Sequence, residues 1–82
     1  MSETQQRTIR ALLEALSDSS SWAEPLLHGA VRLTTHPPAT LADFETALKF
    51  AEEQHWVRGT TGRLGNRRWV ISDDGILALP DL

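Results

Sequence analysis

The sequence predicts an α+β fold that is mostly helical: three helices, a two-stranded β-hairpin and a short C-terminal helix. This prediction rests on two observations. Apolar residues recur at offsets of three and four through the first 55 positions, which indicates helices with one buried face. After His55 the apolar period changes to two, and a cluster of turn residues at 62–66 separates two β-rich runs.

Length and composition limit what the chain can be. Its 82 residues allow one hydrophobic core, so we expect a single domain over 1–82 with an ordered core at about 4–79. There is no cysteine, so disulfides, thiolate metal sites and cysteine nucleophiles are excluded. No apolar run approaches the ~20 residues of a membrane helix, and no leader peptide is visible. A cytoplasmic location is therefore expected.

The first two helices are predicted from their apolar spacing. Thr4 is the expected N-cap of the first helix, whose apolar residues are Ile9, Leu12, Leu13 and Leu16. The polar run at 17–21 ends it, and Glu24-Pro25 begins the second, because proline is favoured in a first helical turn. The second helix continues with Leu26, Leu27, Ala30, Val31 and Leu33, and the Pro-rich segment 34–39 ends it.

The third helix has the strongest local signals. Thr40 and Asp43 have the spacing of a capping box, with Asp in place of the usual Glu or Gln. The helix is predicted over 40–55, and its apolar face consists of Leu41, Phe44, Leu48, Ala51 and His55.

The predicted hairpin pairs residues 56–61 with residues 67–72. Trp56 and Trp69 are expected to form a wall of the core beneath it, and Trp22 is expected to pack against the second helix or at a self-association surface. Ser72 is the expected cap of the C-terminal helix, which would pack through Ile76, Leu77 and Leu79.

Two segments carry a resemblance to a known family. The stretch Leu48–Val57 resembles the end of the third helix in bacterial winged helix-turn-helix domains, with His55 where the family usually has Gly. The stretch Trp69–Leu79 resembles their last wing strand and following helix. The resemblance covers about residues 4–79 and implies a three-helix winged helix. It further implies a third helix that enters the major groove of DNA and a wing that contacts the backbone or the minor groove.

The charge distribution separates the hairpin from the rest of the chain. The net charge of −3 argues against a strongly basic nucleic-acid-binding protein, but residues 56–72 contain four arginines and no acid. The expected phosphate contacts are therefore Arg58, Arg63, Arg67 and Arg68, with Thr60 and Thr61 as further donors. The alternative is a solvated hairpin whose arginines pair with Glu52, Glu53 or Asp73.

The third helix is less favourable for DNA. Its expected groove contacts are Thr40, Thr46 and Lys49, but Asp43, Glu45, Glu52 and Glu53 surround them, and carboxylates are repelled by phosphates. Two functions remain open. One is a DNA-binding or transcription-associated module; the other is a protein-interaction winged helix that uses the acidic third helix or Phe50. Homodimerisation suits either function, and Phe50 could equally be covered by the first helix or the wing.

Catalysis and metal binding are not expected. His28, His36 and His55 lie too far apart in sequence for a helical pair of metal ligands. The glycines of the hairpin do not lie between a strand and a helix, as a phosphate-binding loop requires. The sequence thus predicts no enzyme, no metal and no small-molecule cofactor, and its expected partners are double-stranded DNA, a second copy or another protein.

Overall fold

The computed structural model describes residues 2–18, 21–62, 65 and 67–82. The elements in chain order are α1 (Glu3–Ser17), β1 (Trp22–Ala23), α2 (Glu24–Thr34), α3 (Leu41–Glu53), β2 (Val57–Thr61), β3 (Arg67–Ile71), α4 (Asp73–Ala78) and a 3₁₀ turn (Leu79–Asp81). The three predicted helices and the predicted hairpin are all present, within a few residues of their predicted bounds.

Helix α1 begins earlier than predicted. The N-cap is Ser2, whose Oγ accepts a hydrogen bond from the amide of Gln5 at 3.1 Å, so the prediction that Thr4 caps this helix is wrong. Thr4 lies inside the first turn, where its carbonyl accepts a bond from the Thr8 hydroxyl. The predicted apolar stripe is confirmed, because all four of its members are buried: Ile9, Leu12, Leu13 and Leu16.

The sheet contains a strand that was not predicted. The predicted hairpin is present as β2 and β3, and β1 adds to it so that the strand order is β1-β3-β2, with both pairings antiparallel. Trp22 pairs with Trp69, and its indole Nε1 donates to the carbonyl of Ala15 in α1 at 3.1 Å. This strand joins the end of the first helix to the wing, so Trp22 packs at that junction.

Helix α3 is built as its local sequence predicts. Thr40 Oγ1 accepts from the Asp43 amide at 3.1 Å, and the Asp43 carboxylate accepts from the Thr40 amide at 3.4 Å, which completes the capping box. The helix buries Phe44, Ala47, Leu48 and Ala51 against the core. Just beyond its end, His55 has φ of 63°, the left-handed conformation for which the family pattern favours glycine.

Several apolar residues that share the helical spacing do not reach the core. In α2, Leu27 and Val31 are fully buried, whereas Leu26 and Leu33 are 65% and 82% exposed. Leu41, at the start of α3, is also exposed. Leu26 and Leu33 lie on the side of α2 away from Leu27 and Val31. Leu41 shares a face with Leu48 but is the first residue of α3, and no other described element covers these leucines.

The C-terminal helix packs differently from the prediction. Ile76 and Leu77 are exposed, so the expectation that they pack the helix is wrong; Leu79 is half-buried against the core. Gly75 makes the close contact instead, with the backbone of Trp56. Ser72 caps the helix as predicted, because its Oγ accepts from the Gly75 amide at 3.1 Å. Its hydroxyl also donates to the carbonyl of His55.

Candidate nucleic-acid interface

The wing is the hairpin formed by β2 and β3 together with its tip. Gly65 lies in the tip with φ of 80°, and its amide donates to the carbonyl of Gly62 at 3.0 Å. Glycine adopts this conformation without a steric cost, which explains its place in the turn. Arg63, one of the predicted phosphate contacts, lies outside the described residues.

The strand register distributes the wing arginines between the two faces of the sheet. Side chains alternate along a strand, so Arg67 shares a face with Trp69, which is buried. Arg58 pairs with Val70, and Thr60 pairs with Arg68, on the opposite side. We call this opposite side the outer face of the sheet; it consists of Ala23, Arg58, Thr60, Arg68 and Val70.

Each described arginine of the wing has distinct surroundings. The guanidinium carbon of Arg67 lies 5.4 Å from the centre of the Trp69 ring, within the range of a cation–π interaction. Arg68 donates from Nε and Nη2 to the hydroxyl of Ser21, at 3.2 and 3.1 Å. Arg58 is exposed.

Among the described arginines of the wing, Arg58, Arg67 and Arg68, none forms an ion pair with Glu52, Glu53 or Asp73. Across the described ranges, the ion pairs join Arg7 to Glu3 and Arg10 to Glu14, both within α1. The charge of Arg58, Arg67 and Arg68 is therefore not neutralised by a carboxylate in direct contact.

An open cleft of about 350 Å³ lies between helix α3 and the wing, and we call it the α3–wing cleft. It is lined by Glu24, Glu45, Leu48, Lys49, Glu52, Arg67 and Trp69. The indole Nε1 of Trp69 donates to the Glu24 carboxylate at 3.1 Å, which holds that carboxylate at the cleft. Three carboxylates thus face two cations. Sequence reasoning missed Glu24, because its place depends on the unpredicted strand β1.

The predicted groove contacts on α3 do not form one continuous site with the wing. Lys49 is exposed in the α3–wing cleft near Arg67, and Thr46 is exposed nearer the start of the helix. Thr40 is exposed too, but its hydroxyl accepts the capping bond described above. The structure therefore brings Lys49 and Arg67 together and leaves Arg58 and Arg68 on the other side of the sheet.

The comparisons with known proteins identify the architecture. No protein-family model matches the chain, and no curated protein matches it. Among solved structures, the chain is similar to a transcriptional regulator of the MarR family from Silicibacter pomeroyi, with a TM-score of 0.77 and 13% sequence identity. The match covers 92% of this chain.

The fold is a winged helix-turn-helix. At 13% identity the likeness shows the fold alone. The match covers 47% of the Silicibacter protein, so this winged helix spans about half the length of that regulator. The fold predicted from the sequence is thus confirmed, and in this architecture α3 is the third helix and the β2–β3 hairpin is the wing.

Within the described residues, no group of three or more His, Asp or Glu side chains is placed to hold a metal ion. His28 stacks on Phe44, with the ring centres 4.8 Å apart, which gives it a packing role. In the same part of the chain, no helix is long and apolar enough to cross a membrane.

Proposed function

We propose that this winged helix is a DNA-binding, transcription-associated module that holds the phosphate backbone through the arginines of its wing. One observation carries the proposal. The strands of the sheet present Arg58, Arg67 and Arg68, all exposed, and contain no Asp or Glu. Guanidinium groups bind phosphate oxygens through paired hydrogen bonds, so such a surface suits a nucleic-acid backbone. The structural similarity to a transcriptional regulator supports the same function.

The test is a titration of fluorescently labelled duplex DNA, followed by anisotropy at several salt concentrations. We expect wild-type binding that weakens as salt rises from about 50 to about 200 mM, because phosphate contacts release counterions. The triple variant Arg58→Ala/Arg67→Ala/Arg68→Ala should bind at least tenfold more weakly. Its matched control, Arg7→Ala/Arg10→Ala/Arg32→Ala, removes the same charge from the helices. Absence of wild-type binding at about 50 mM salt would refute the proposal.

A protein partner is the second candidate function, and the structure changes where its surface would lie. Phe50 is half-buried and meets the ring of Trp56 edge-on, with the ring centres 5.7 Å apart, so it is not an exposed anchor. The large exposed side chains lie on α2 instead, at Leu26 and Leu33. Leu26 and Leu33 are seven residues apart and so lie on one side of α2, and contiguous exposed apolar surface is typical of association sites.

For this second function we propose a second copy of the chain as the partner. Leu26 and Leu33 are equally far in sequence from the pair Gly29-Ala30. Two antiparallel α2 helices that cross at this pair would place Leu26 of one copy opposite Leu33 of the other, as a twofold axis requires. Sedimentation velocity over a range of concentrations tests this. The wild type should dimerise and Leu26→Ser/Leu33→Ser should not; a wild type that stays monomeric contradicts it.

A further inference from the structure

The outer face of the sheet and the α3–wing cleft differ in charge balance. The outer face contains Arg58 and Arg68 and no carboxylate among its strand residues. The cleft contains Lys49 and Arg67, but also three glutamates, one of which is fixed by the Trp69 indole. A phosphate group that enters the cleft would therefore meet more negative than positive side chains. A phosphate group at the outer face would meet Arg58, Arg68 and the Thr60 hydroxyl, beside the uncharged side chains of Ala23 and Val70.

The geometry of the outer face also suits a nucleic-acid strand. Thr60 lies directly opposite Arg68, and Arg58 lies opposite Val70, so the two arginines are diagonal neighbours on adjacent strands. Diagonal neighbours are separated by about 7–8 Å, and arginine side chains are long enough to reach different phosphates from there. Thr60 is next to both arginines on the same face, opposite Arg68 and two residues along β2 from Arg58, and its hydroxyl can donate a further hydrogen bond.

The side chain of Arg68 is held at the outer face by hydrogen bonds within the protein. Two of its guanidinium nitrogens donate to one hydroxyl oxygen, that of Ser21, which precedes β1. A guanidinium carries five N–H donors, so most of its hydrogen-bonding capacity remains for an anion. A side chain held in this way loses less conformational freedom on binding than a free one.

We infer that the outer face of the sheet is the phosphate-binding surface, and that the duplex is held there through its backbone while α3 stays out of the major groove. This inference rests on the proposed DNA-binding function and specifies its surface. It implies binding with little dependence on base sequence, because phosphate contacts position a duplex and do not distinguish its bases. It further implies that the acidic surface of α3 faces away from the DNA.

Two double variants of equal charge distinguish the two surfaces. Arg58→Ala/Arg68→Ala removes the cations of the outer face, and Lys49→Ala/Arg67→Ala removes those of the α3–wing cleft. Each phosphate contact contributes about 0.9 to the slope of log affinity against log salt concentration. The outer-face variant should therefore reduce that slope by about 1.8. The cleft variant, with the same net charge, should reduce it by less than half as much.

Three further measurements complete the test. Arg32→Ala, at the far end of α2 from the sheet, should leave the slope unchanged. Glu45→Gln/Glu52→Gln should not tighten binding, because those carboxylates face away from the duplex. An A·T-rich duplex and a G·C-rich duplex of equal length should bind with affinities within about threefold, since base readout through one contact would discriminate by about fivefold or more.

The outcomes separate this inference from the function on which it rests. If the cleft variant lowers the slope as much as the outer-face variant, or if the glutamate variant binds more tightly, the duplex approaches α3 and the inference is overturned. A tenfold preference for one duplex overturns it too. If the wild type binds neither duplex at low salt, the proposed function itself fails. Circular dichroism of each variant verifies that it is folded.

Discussion

A methyl group at Gly75 should destabilise this fold. Gly75 is buried in the first turn of α4. A Cβ placed there would lie 2.3 Å from the carbonyl oxygen of Trp56 and 2.8 Å from Cγ1 of Ile71. Carbon and oxygen atoms that touch in proteins are normally about 3.3–3.6 Å apart. The substitution Gly75→Ala therefore requires the two backbones to separate by about 1 Å.

The size of the destabilisation by Gly75→Ala depends on how firmly the Trp56 carbonyl is held in place. Its oxygen accepts a hydrogen bond from the Ser72 amide at 2.8 Å, so it cannot move without straining that bond. Overpacking lowers the unfolding free energy by about 1–3 kcal/mol, and a lost hydrogen bond lowers it by about 0.5–1.5 kcal/mol. Replacing glycine by alanine in a helix raises the unfolding free energy by about 0.5–1 kcal/mol. The expected net loss is about 2 kcal/mol of unfolding free energy. For a domain of this size, that lowers Tm by roughly 8–16 °C.

Gly29 provides the matched control. It lies inside α2, and a Cβ at this position would have nothing within 4 Å. Gly29→Ala should therefore raise the unfolding free energy by about 0.5–1 kcal/mol, through helix propensity and the entropy of the unfolded chain. Thermal and urea unfolding followed by circular dichroism measures both variants. If Gly75→Ala is as stable as the wild type, the close packing of α4 against Trp56 is wrong.

Three further substitutions test the core, a cap and a turn. Phe44→Ala should cost about 3–5 kcal/mol in urea unfolding, because the ring is fully buried; a loss under about 1 kcal/mol would contradict its core position. Thr40→Ala should lower the unfolding free energy by about 0.5–2 kcal/mol and speed hydrogen exchange at the Asp43 amide, because it removes the capping bond. Its control is Thr46→Ala, at an exposed position, which should change the unfolding free energy by less than about 0.5 kcal/mol. His55→Gly should raise the stability by about 0.5–1 kcal/mol in thermal melts, because φ is positive there; a lower Tm would argue against that conformation.

Local signals made α3 and the wing predictable. The capping box needs only Thr40 and Asp43, three residues apart, and the positive φ of His55 follows from its place at the helix end. These features depend on neighbours in the sequence, so one sequence contains the information. Strand β1 has two residues, too few for an alternating pattern, and its partner Trp69 lies 47 positions away. Nothing local could have indicated it.

Apolar spacing predicted which helices form, but not which of their leucines are covered. Leu26 and Leu27 are adjacent in sequence, yet only Leu27 is buried. The difference depends on which elements pack around α2, and that is a property of the whole fold.

The same limit applies to the candidate interface. The sequence indicated that the wing carries the positive charge. The faces of Arg58, Arg67 and Arg68 depend on the register that pairs Gly59 with Trp69, and on the side of the sheet that the core occupies. The acidic character of the α3–wing cleft also depends on Glu24, which the chain brings there from another element. Charge could thus be assigned to a segment from sequence, but not to a surface.

The contact between Gly59 and Trp69 has a consequence for how this chain can diverge. A Cβ at Gly59 would lie 2.9 Å from two ring carbons of Trp69, which is itself held by the bond to Glu24. A side chain at position 59 therefore fits only if the indole ring of Trp69 moves. We expect relatives that keep tryptophan at 69 to keep glycine at 59, and those that gain a side chain at 59 to carry a smaller residue at 69. Such paired substitutions would mark this sheet in distant relatives even where the charges of the wing have changed.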